Sequence, residues 1–272
     1  MDLNLLCNIA IEAAQSAGKV IQSYMNEDVP FEKKQGGENY ASQVVTKVDK
    51  EAEDVILSHL LPTCETFDIA LLTEETEDDR SRFEKDFFWC IDPIDGTLNF
   101  INKEPGFSVS IALVAKDGTS HIGVVFDPIA NTLYHSIKSK GVYKNGQSWA
   151  IENSNSHLTY VTDKKLKNTP RSEEIELLLH EKAQEMGLNG VEEMSGGASV
   201  MNGIRVLEHG PACMLKFPKK ETGGGSIWDF AATAAIFQEL GLPATNYEGG
   251  KLDLNRKDST FMNQQGIFYA NF

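Results

Sequence analysis

The sequence predicts a mixed α/β chain whose first half sets two helices against a largely antiparallel sheet. Three patterns lead there: two long stretches with apolar residues at helical spacing, a series of short apolar or alternating runs broken by Asp-Gly and Asn-Gly, and a second half in which short strands alternate with helices. The first stretch runs from Leu3 to Tyr24, where Leu5, Leu6, Ile9, Ala13, Ala17, Val20, Ile21 and Tyr24 return every three or four residues. A polar loop over residues 26–43 follows, with Gly36-Gly37 at its middle. A second helix is expected over residues 47–61, closed by Pro62, which lacks the N–H that a further turn would need. Residues 69–72 and 87–91 read as buried strands. Two alternating runs, 107–116 and 119–126, flank Asp117-Gly118, a strong hairpin signal. Residues 132–137 and 141–143 are further short strands, and Asn145-Gly146 closes the series.

Around residues 153–156 the chain turns polar and small, which marks an internal boundary. The expected organisation is an N-terminal α+β subdomain, 1–153, and a C-terminal α/β subdomain, 154–272. In the second, strands are expected at 157–162, 212–217 and 266–270, and helices at 172–186, 198–207 and 227–240. Gly241 supplies the last helix with its C-terminal cap. No internal repeat or low-complexity tract is present.

Composition narrows the function. Formal charge is −15, which repels nucleic-acid backbone and leaves a small anion as a substrate only where bound cations reverse the local field. No apolar run approaches the roughly 20 residues of a membrane span. The N-terminus carries no basic segment followed by an apolar one, so a cytoplasmic location is expected. The four cysteines lie far apart with no Cys-x-x-Cys pair and read as reduced, mostly buried thiols. The six histidines form no ligand-spaced pair.

The chemistry concentrates in Asp92-Pro93-Ile94-Asp95-Gly96-Thr97, directly after the apolar run 87–91. Strand and acidic turn put two hard oxygen ligands at the carboxyl edge of a sheet, where α/β proteins tend to bind ligands. Pro93 restrains its own φ and the conformation of Asp92, so little freedom remains to be lost when a cation binds. Gly96 and Thr97 offer amides to an anion if a helix starts there. Two acids fenced by Trp89, Ile91, Ile94 and Phe100 are costly to bury without cations. Three other acidic sites stand at element ends, each with a plainer explanation. Asp49 is either a site residue or a helix cap. Glu74-Glu75 is either a ligand pair or part of the solvated acidic run reaching Asp79. Asp229 either joins the site or complements a helix dipole.

The chain resembles the inositol monophosphatase superfamily, which includes the 3'(2'),5'-bisphosphate nucleotidases and, more distantly, fructose-1,6-bisphosphatase. Glu74-Glu75, the segment 89–99 (WCIDPIDGTLN) and Trp228-Asp229-Phe230-Ala231-Ala232 carry the resemblance, in the family's order. Residues 45–49 and 141–146 match two shorter family segments. The resemblance implies a layered αβαβα sandwich and a phosphomonoesterase using two or three Mg²⁺ ions and sensitive to Li⁺. It implies Glu74, Asp92 and the Ile94 carbonyl around the first ion, and Asp92, Asp95 and Asp229 around the second. Asp49 and Thr97 would orient and deprotonate the attacking water, with Glu74 nearby, and the Gly96 and Thr97 amides would hold phosphate. A homodimer is the expected assembly.

The chain also departs from the family. Thr73 stands where glycine usually precedes the paired glutamates, and the loop 33–45, which normally covers the site, is longer and richer in glycine. Before Asp229, where an acid usually touches the inositol hydroxyls, the chain has Lys216-Phe217-Pro218-Lys219-Lys220-Glu221-Thr222 and three glycines. Glu221 could take the acid's role, and Lys216 and Lys219 could hold a second phosphate, as on 3'-phosphoadenosine 5'-phosphate. Leu98-Asn99-Phe100 favours an inositol phosphate instead. Two readings from other classes are weighed. A non-catalytic metal-binding relative would lack the water-activating pair, yet Asp49 and Thr97 are both present. A nucleotide-binding P-loop would need a Gly-Lys-Ser/Thr that the chain does not have.

Overall fold

The computed structural model describes residues 1–33, 44–168 and 171–272. Most of the expected loop 33–45 therefore lies outside the described residues. Helix α1 (Leu3–Tyr24) starts on Asp2, whose carboxylate accepts the Asn4 and Leu5 N–H groups. A two-stranded antiparallel ladder, β1 (Phe31–Lys33) with β2 (Val44–Thr46), stands where a continuous loop was expected, and it delivers the chain to α2 (Lys47–Phe67).

Helix α2 does not stop at Pro62 but runs one turn further. Proline removes one N–H and crowds one carbonyl, a penalty that tertiary packing can override. Here Thr63 is buried and accepts a hydrogen bond from the Trp89 indole at 2.9 Å, which fastens the last turn to the sheet. The helix ends instead at Asp68, in the left-handed region at φ 54.

The main sheet has seven strands in sequence order: β3 (Ile69–Thr73), β4 (Phe87–Asp95), β5 (Ser108–Ala115), β6 (Ser120–Asp127), β7 (Thr132–Ile137), β8 (Gly141–Lys144) and β9 (Gln147–Ser148). Only β3 and β4 pair in parallel. Strand β4 carries on through the acidic segment, with an irregular register against β5 between Asp92 and Asp95. Between β4 and β5 lies the short helix α3 (Thr97–Ile101).

A second sheet, in the order β11-β10-β12-β14-β13, contains β10 (Leu158–Thr162), β11 (Val191–Ser195), β12 (Ala212–Lys216), β13 (Ala244–Thr245) and β14 (Ile267–Asn271). Strands β9, β11 and β13 were not expected; two of them are dipeptides, and β11 (VEEMS) is an edge strand with too few apolar residues to show a pattern. Three helices complete this half: α4 (Ser172–Glu185), α5 (Ser199–Glu208) and α6 (Trp228–Glu239). Helix α6 closes in a Schellman arrangement, Gly241 N–H to Gln238 and Leu242 N–H to Phe237, with Gly241 at φ 70.

The layers follow from which face buries what. Trp89, Ile91, Ile111 and Val124 point to α1 and α2, while Phe88, Cys90, Ala112 and Val125 point to α5 and α6. The second sheet meets the other side of α5 and α6 through Val161, Met214 and Tyr269, and its far face is covered by Ile175, Leu179 and Ala183 of α4. The order is therefore α, β, α, β, α. A sheet covered on both faces also explains why β5 and β6 are nearly all buried. Arg82, only 2% exposed, ties the short segment after β3 to the C-terminal region through Asp78, Asn255 and the Arg256 carbonyl. Among the described residues no helix is long and apolar enough to cross a membrane. The cysteines are free thiols, and burial pushes Cys7 up to about 12, far from a reactive thiolate.

Candidate active site

The two strand-end acids meet a third from the other half of the chain. One carboxylate oxygen from each of Asp92, Asp95 and Asp229 lies within 4.8 Å of the others. Each carboxylate is aimed by a backbone amide. The Ile94 N–H donates to Asp92 Oδ1 at 3.0 Å, the Val200 N–H to Asp95 Oδ2 at 2.8 Å, and the Ser226 N–H to Asp229 Oδ2 at 2.8 Å. Pro93 contributes no donor, so the first amide after Asp92 able to fold back on it is that of Ile94.

The three acids form a cluster that could hold a cation. Burial raises the Asp92 pKa well above the usual carboxylate range, and the neighbouring charges of Glu74, Asp229 and Asp95 raise it further. Asp95 is raised by burial and by Asp229; Asp229 is raised by burial, partly offset by the Ser226 amide. Asp92 and Asp229 share a hydrogen bond that favours a proton on Asp92. Like charges this close cannot all ionise without compensation. An all-oxygen donor set of clustered carboxylates suits a hard divalent cation, which would take the place of the shared proton.

Beside the cluster stands a second unit, Thr46, Asp49 and Thr97. Thr46 and Asp49 form the capping box of α2: Asp49 Oδ2 accepts the Thr46 N–H at 2.7 Å and the Thr46 hydroxyl at 2.6 Å. The other oxygen, Oδ1, accepts the Thr97 hydroxyl at 2.9 Å. Of the two sequence readings the cap is present, and it locks Asp49 so that its other oxygen faces α3. Burial raises the Asp49 pKa against these hydrogen bonds, and Glu74 adds to the rise. Thr97 lies 3.3 Å from the Ile94 carbonyl, the backbone oxygen implied as a ligand. Gly96, at φ 93, turns the chain into α3, and a Cβ there would come within 2.7 Å of Ala198.

The profile of the Inositol monophosphatase family matches residues 2–270. The chain belongs to that family. The Nus factor SuhB of Pasteurella multocida (strain Pm70) is 36% identical to it over 152 residues, 56% of this chain and 54% of that protein. The inositol-1-monophosphatase of Bacillus subtilis (strain 168) is 32% identical over 137 residues, 50% of this chain and 49% of that protein. The chain thus spans about half the length of the curated relatives it matches. Among solved structures, CysQ from Bacteroides thetaiotaomicron, described as a bacterial member of the family, aligns with a TM-score of 0.75 at 25% identity, over 97% of this chain and 96% of that one.

Within this inositol monophosphatase family member, the substrate contacts expected from sequence are placed less uniformly than the acids. Lys216 is mostly buried near Asp95 and Asp229. Lys219 is exposed and its stem lies against Gly224. Glu221 is exposed, and its side chain makes no hydrogen bond or ion pair among the described residues. The backbone carbonyls of residues 219 and 221 instead accept the buried Asn263 amide, which shapes this loop.

Four contributors escaped the sequence reading. Glu53 of α2, 4% exposed, accepts the Glu75 N–H and the Thr76 hydroxyl and so pins the turn that presents Glu74. Its helical spacing four residues after Asp49 was the available signal. Asp163 and Ser199, which accept from the Lys216 ammonium, and Val200 gave none, because their placement depends on where α5 and the second sheet come to rest. Thr73, the departure from the family's glycine, accepts the Thr76 N–H at 3.1 Å and tightens the same turn.

Proposed function

We propose that this protein is a Mg²⁺-dependent phosphomonoesterase acting on a small phosphorylated metabolite, with an inositol monophosphate as its substrate. The observation that carries this is the junction of the Asp92–Asp95–Asp229 cluster with the Asp49–Thr97 pair. Glu74, Asp92 and the Ile94 carbonyl would hold one ion, and Asp92, Asp95 and Asp229 another. Bound there, such ions supply Lewis acidity toward phosphoryl oxygens and water.

The chain's own groups do the rest. Thr97 donates its hydroxyl hydrogen to Asp49 Oδ1, which leaves the hydroxyl's lone pairs to accept from a water. Asp49, fixed by Thr46 and made more basic by burial, is the end of that proton path. Gly96 and Thr97 place amides at the start of α3, where a phosphate oxygen is stabilised. Thr97→Ala should lower kcat about a hundredfold with KM little changed, since it breaks the path and leaves the acids in place. Steady-state kinetics on inositol-1-phosphate check this, and a change confined to KM would contradict the role.

A second reading is a 3'(2'),5'-bisphosphate nucleotidase. Pro218, Lys219, Lys220 and Gln264 line an open cleft of about 320 Å³, and an acidic protein with two lysines on one cleft can attract a second phosphate. Parallel kcat/KM values for inositol-1-phosphate, 3'-phosphoadenosine 5'-phosphate and fructose-1,6-bisphosphate, with Mg²⁺, decide between them. The first should lead, and leadership by the second would replace the substrate named here. No phosphate release from any of them would favour the non-catalytic metal-binding reading.

A further inference from the structure

The Lys216 ammonium has three hydrogens and three oxygen partners within the protein. It donates to Asp163 Oδ2 at 2.7 Å, to Ser199 Oγ at 2.9 Å and to the Gly224 carbonyl at 3.4 Å. Its side chain is 17% exposed. The opposite oxygen of Asp163 accepts the side-chain amide of Asn202, a fully buried residue of α5, at 2.9 Å.

Two of these partners stand next to the amides that aim the acids. Ser199 opens α5, and the next residue, Val200, gives Asp95 its N–H. Gly224 precedes by two residues Ser226, which gives Asp229 its N–H. The loop after β12 forms no regular element and Gly223, Gly224 and Gly225 all sit at positive φ; the Asn263 amide holds the carbonyls of residues 219 and 221, the Met262 N–H donates to the Gly225 carbonyl, and Lys216 holds the Gly224 carbonyl between them. Lys216 is where the end of β12, the start of α5, the segment after β10 and the glycine loop are joined. An ammonium with every hydrogen engaged in this way is poorly placed to be the substrate anion's donor, the role expected from sequence. Asp163 offsets its charge, so a cation bound by Asp95 and Asp229 meets an ion pair and not a bare positive charge.

We propose that Lys216, paired with Asp163, is a positioning residue that holds the Asp95 and Asp229 carboxylates in register for a divalent cation through the start of α5 and the glycine loop. The proposal rests on the metal-site reading above and names the groups that keep that site in shape. Partners outside the ligand set commonly change metal affinity about 10- to 100-fold when lost.

The test is Mg²⁺ titration of the metal-free full chain by isothermal calorimetry, for wild type, Asp163→Asn, Lys216→Met and the double variant, with circular dichroism as the fold control. Both single variants should weaken Mg²⁺ binding about tenfold or more, and the double variant should lose little beyond the worse single one, because both belong to one brace. At saturating Mg²⁺ the KM for inositol-1-phosphate should stay within about twofold of wild type. Unchanged Mg²⁺ affinity in both variants together with a raised KM would overturn the proposal and make Lys216 a substrate contact. If Lys216→Met does not fold, the near-isosteric Asp163→Asn decides alone. Absence of Mg²⁺ binding in wild type would instead sink the metal-site reading, and the brace with it.

Discussion

Asp95→Asn should fold normally and lose phosphate release by roughly a thousandfold or more, because it removes one charge from a site built to compensate several kcal/mol of transition-state charge. The side-chain oxygen of asparagine can still accept the Val200 N–H, so the local geometry survives. Stability separates this loss from misfolding. Burial and like charge raise the Asp92 and Asp95 pKa values in the folded protein, so the native state binds more protons than the unfolded one from about pH 4 upward. Stability from these groups is fully present below that range and is lost as pH rises through the raised native values. Wild-type protein in EDTA should therefore melt at a lower temperature near pH 8 than near pH 5, by this contribution. The neutral amide relieves part of the repulsion, so metal-free Asp95→Asn should melt no lower than metal-free wild type at neutral pH. Added Mg²⁺ should raise the wild-type midpoint more than that of the variant, because only tight binding to the native state stabilises it. Normal turnover in Asp95→Asn, or an equal Mg²⁺ shift in both proteins, would remove Asp95 from the site.

The parts of this molecule that could be read from sequence are those in which one local pattern carries the whole meaning. Helix α1, the Asp117-Gly118 hairpin and the Gly241 cap each depend on residues within a few positions of one another, and each stands where expected. The Asp92–Thr97 segment was legible for the same reason. Pro62 misled because the force that overrides it, the Trp89–Thr63 hydrogen bond and the packing around it, comes from a strand 26 residues away. The lysine segment before Asp229 was illegible in another way. Lys216 and Lys219 were read alike as candidate phosphate contacts, yet Lys216 is mostly buried and engaged by three oxygens while Lys219 is exposed. Burial is a property of the assembled sheets, and residues 216–220 contain no period that would reveal it.

Gly123→Val should be among the most damaging single changes away from the acids, and it should damage the site as well as the fold. Gly123 lies in β6, where a Cβ would come within 2.2 Å of the Ala232 carbonyl oxygen and 2.9 Å of the Ala235 Cβ. Its φ is ordinary for a strand, so what is at stake is close approach and not conformation. The obstacle is helix backbone, which cannot rotate aside as a side chain can. At Gly18 the corresponding obstacle is the Phe126 ring, 2.2 Å away but free to move at some packing penalty. Overpacking of this kind costs about 1–3 kcal/mol, and a rigid neighbour puts Gly123→Val at or above the upper end. The relief must come from α6 lifting off the sheet, and α6 carries Asp229 one turn before Ala232. A ligand displaced by about 1 Å can lower rate by about a hundredfold even where the chain still folds. Urea midpoints for Gly123→Val and Gly18→Ala, with kcat measured on the folded fraction, test both halves. The expected order is a larger midpoint loss for Gly123→Val, with its residual activity depressed beyond what unfolding explains. An unchanged midpoint and rate in Gly123→Val would mean that α6 is not seated on β6 at this distance, and the path by which the fold delivers Asp229 to Asp92 and Asp95 would have to be drawn differently.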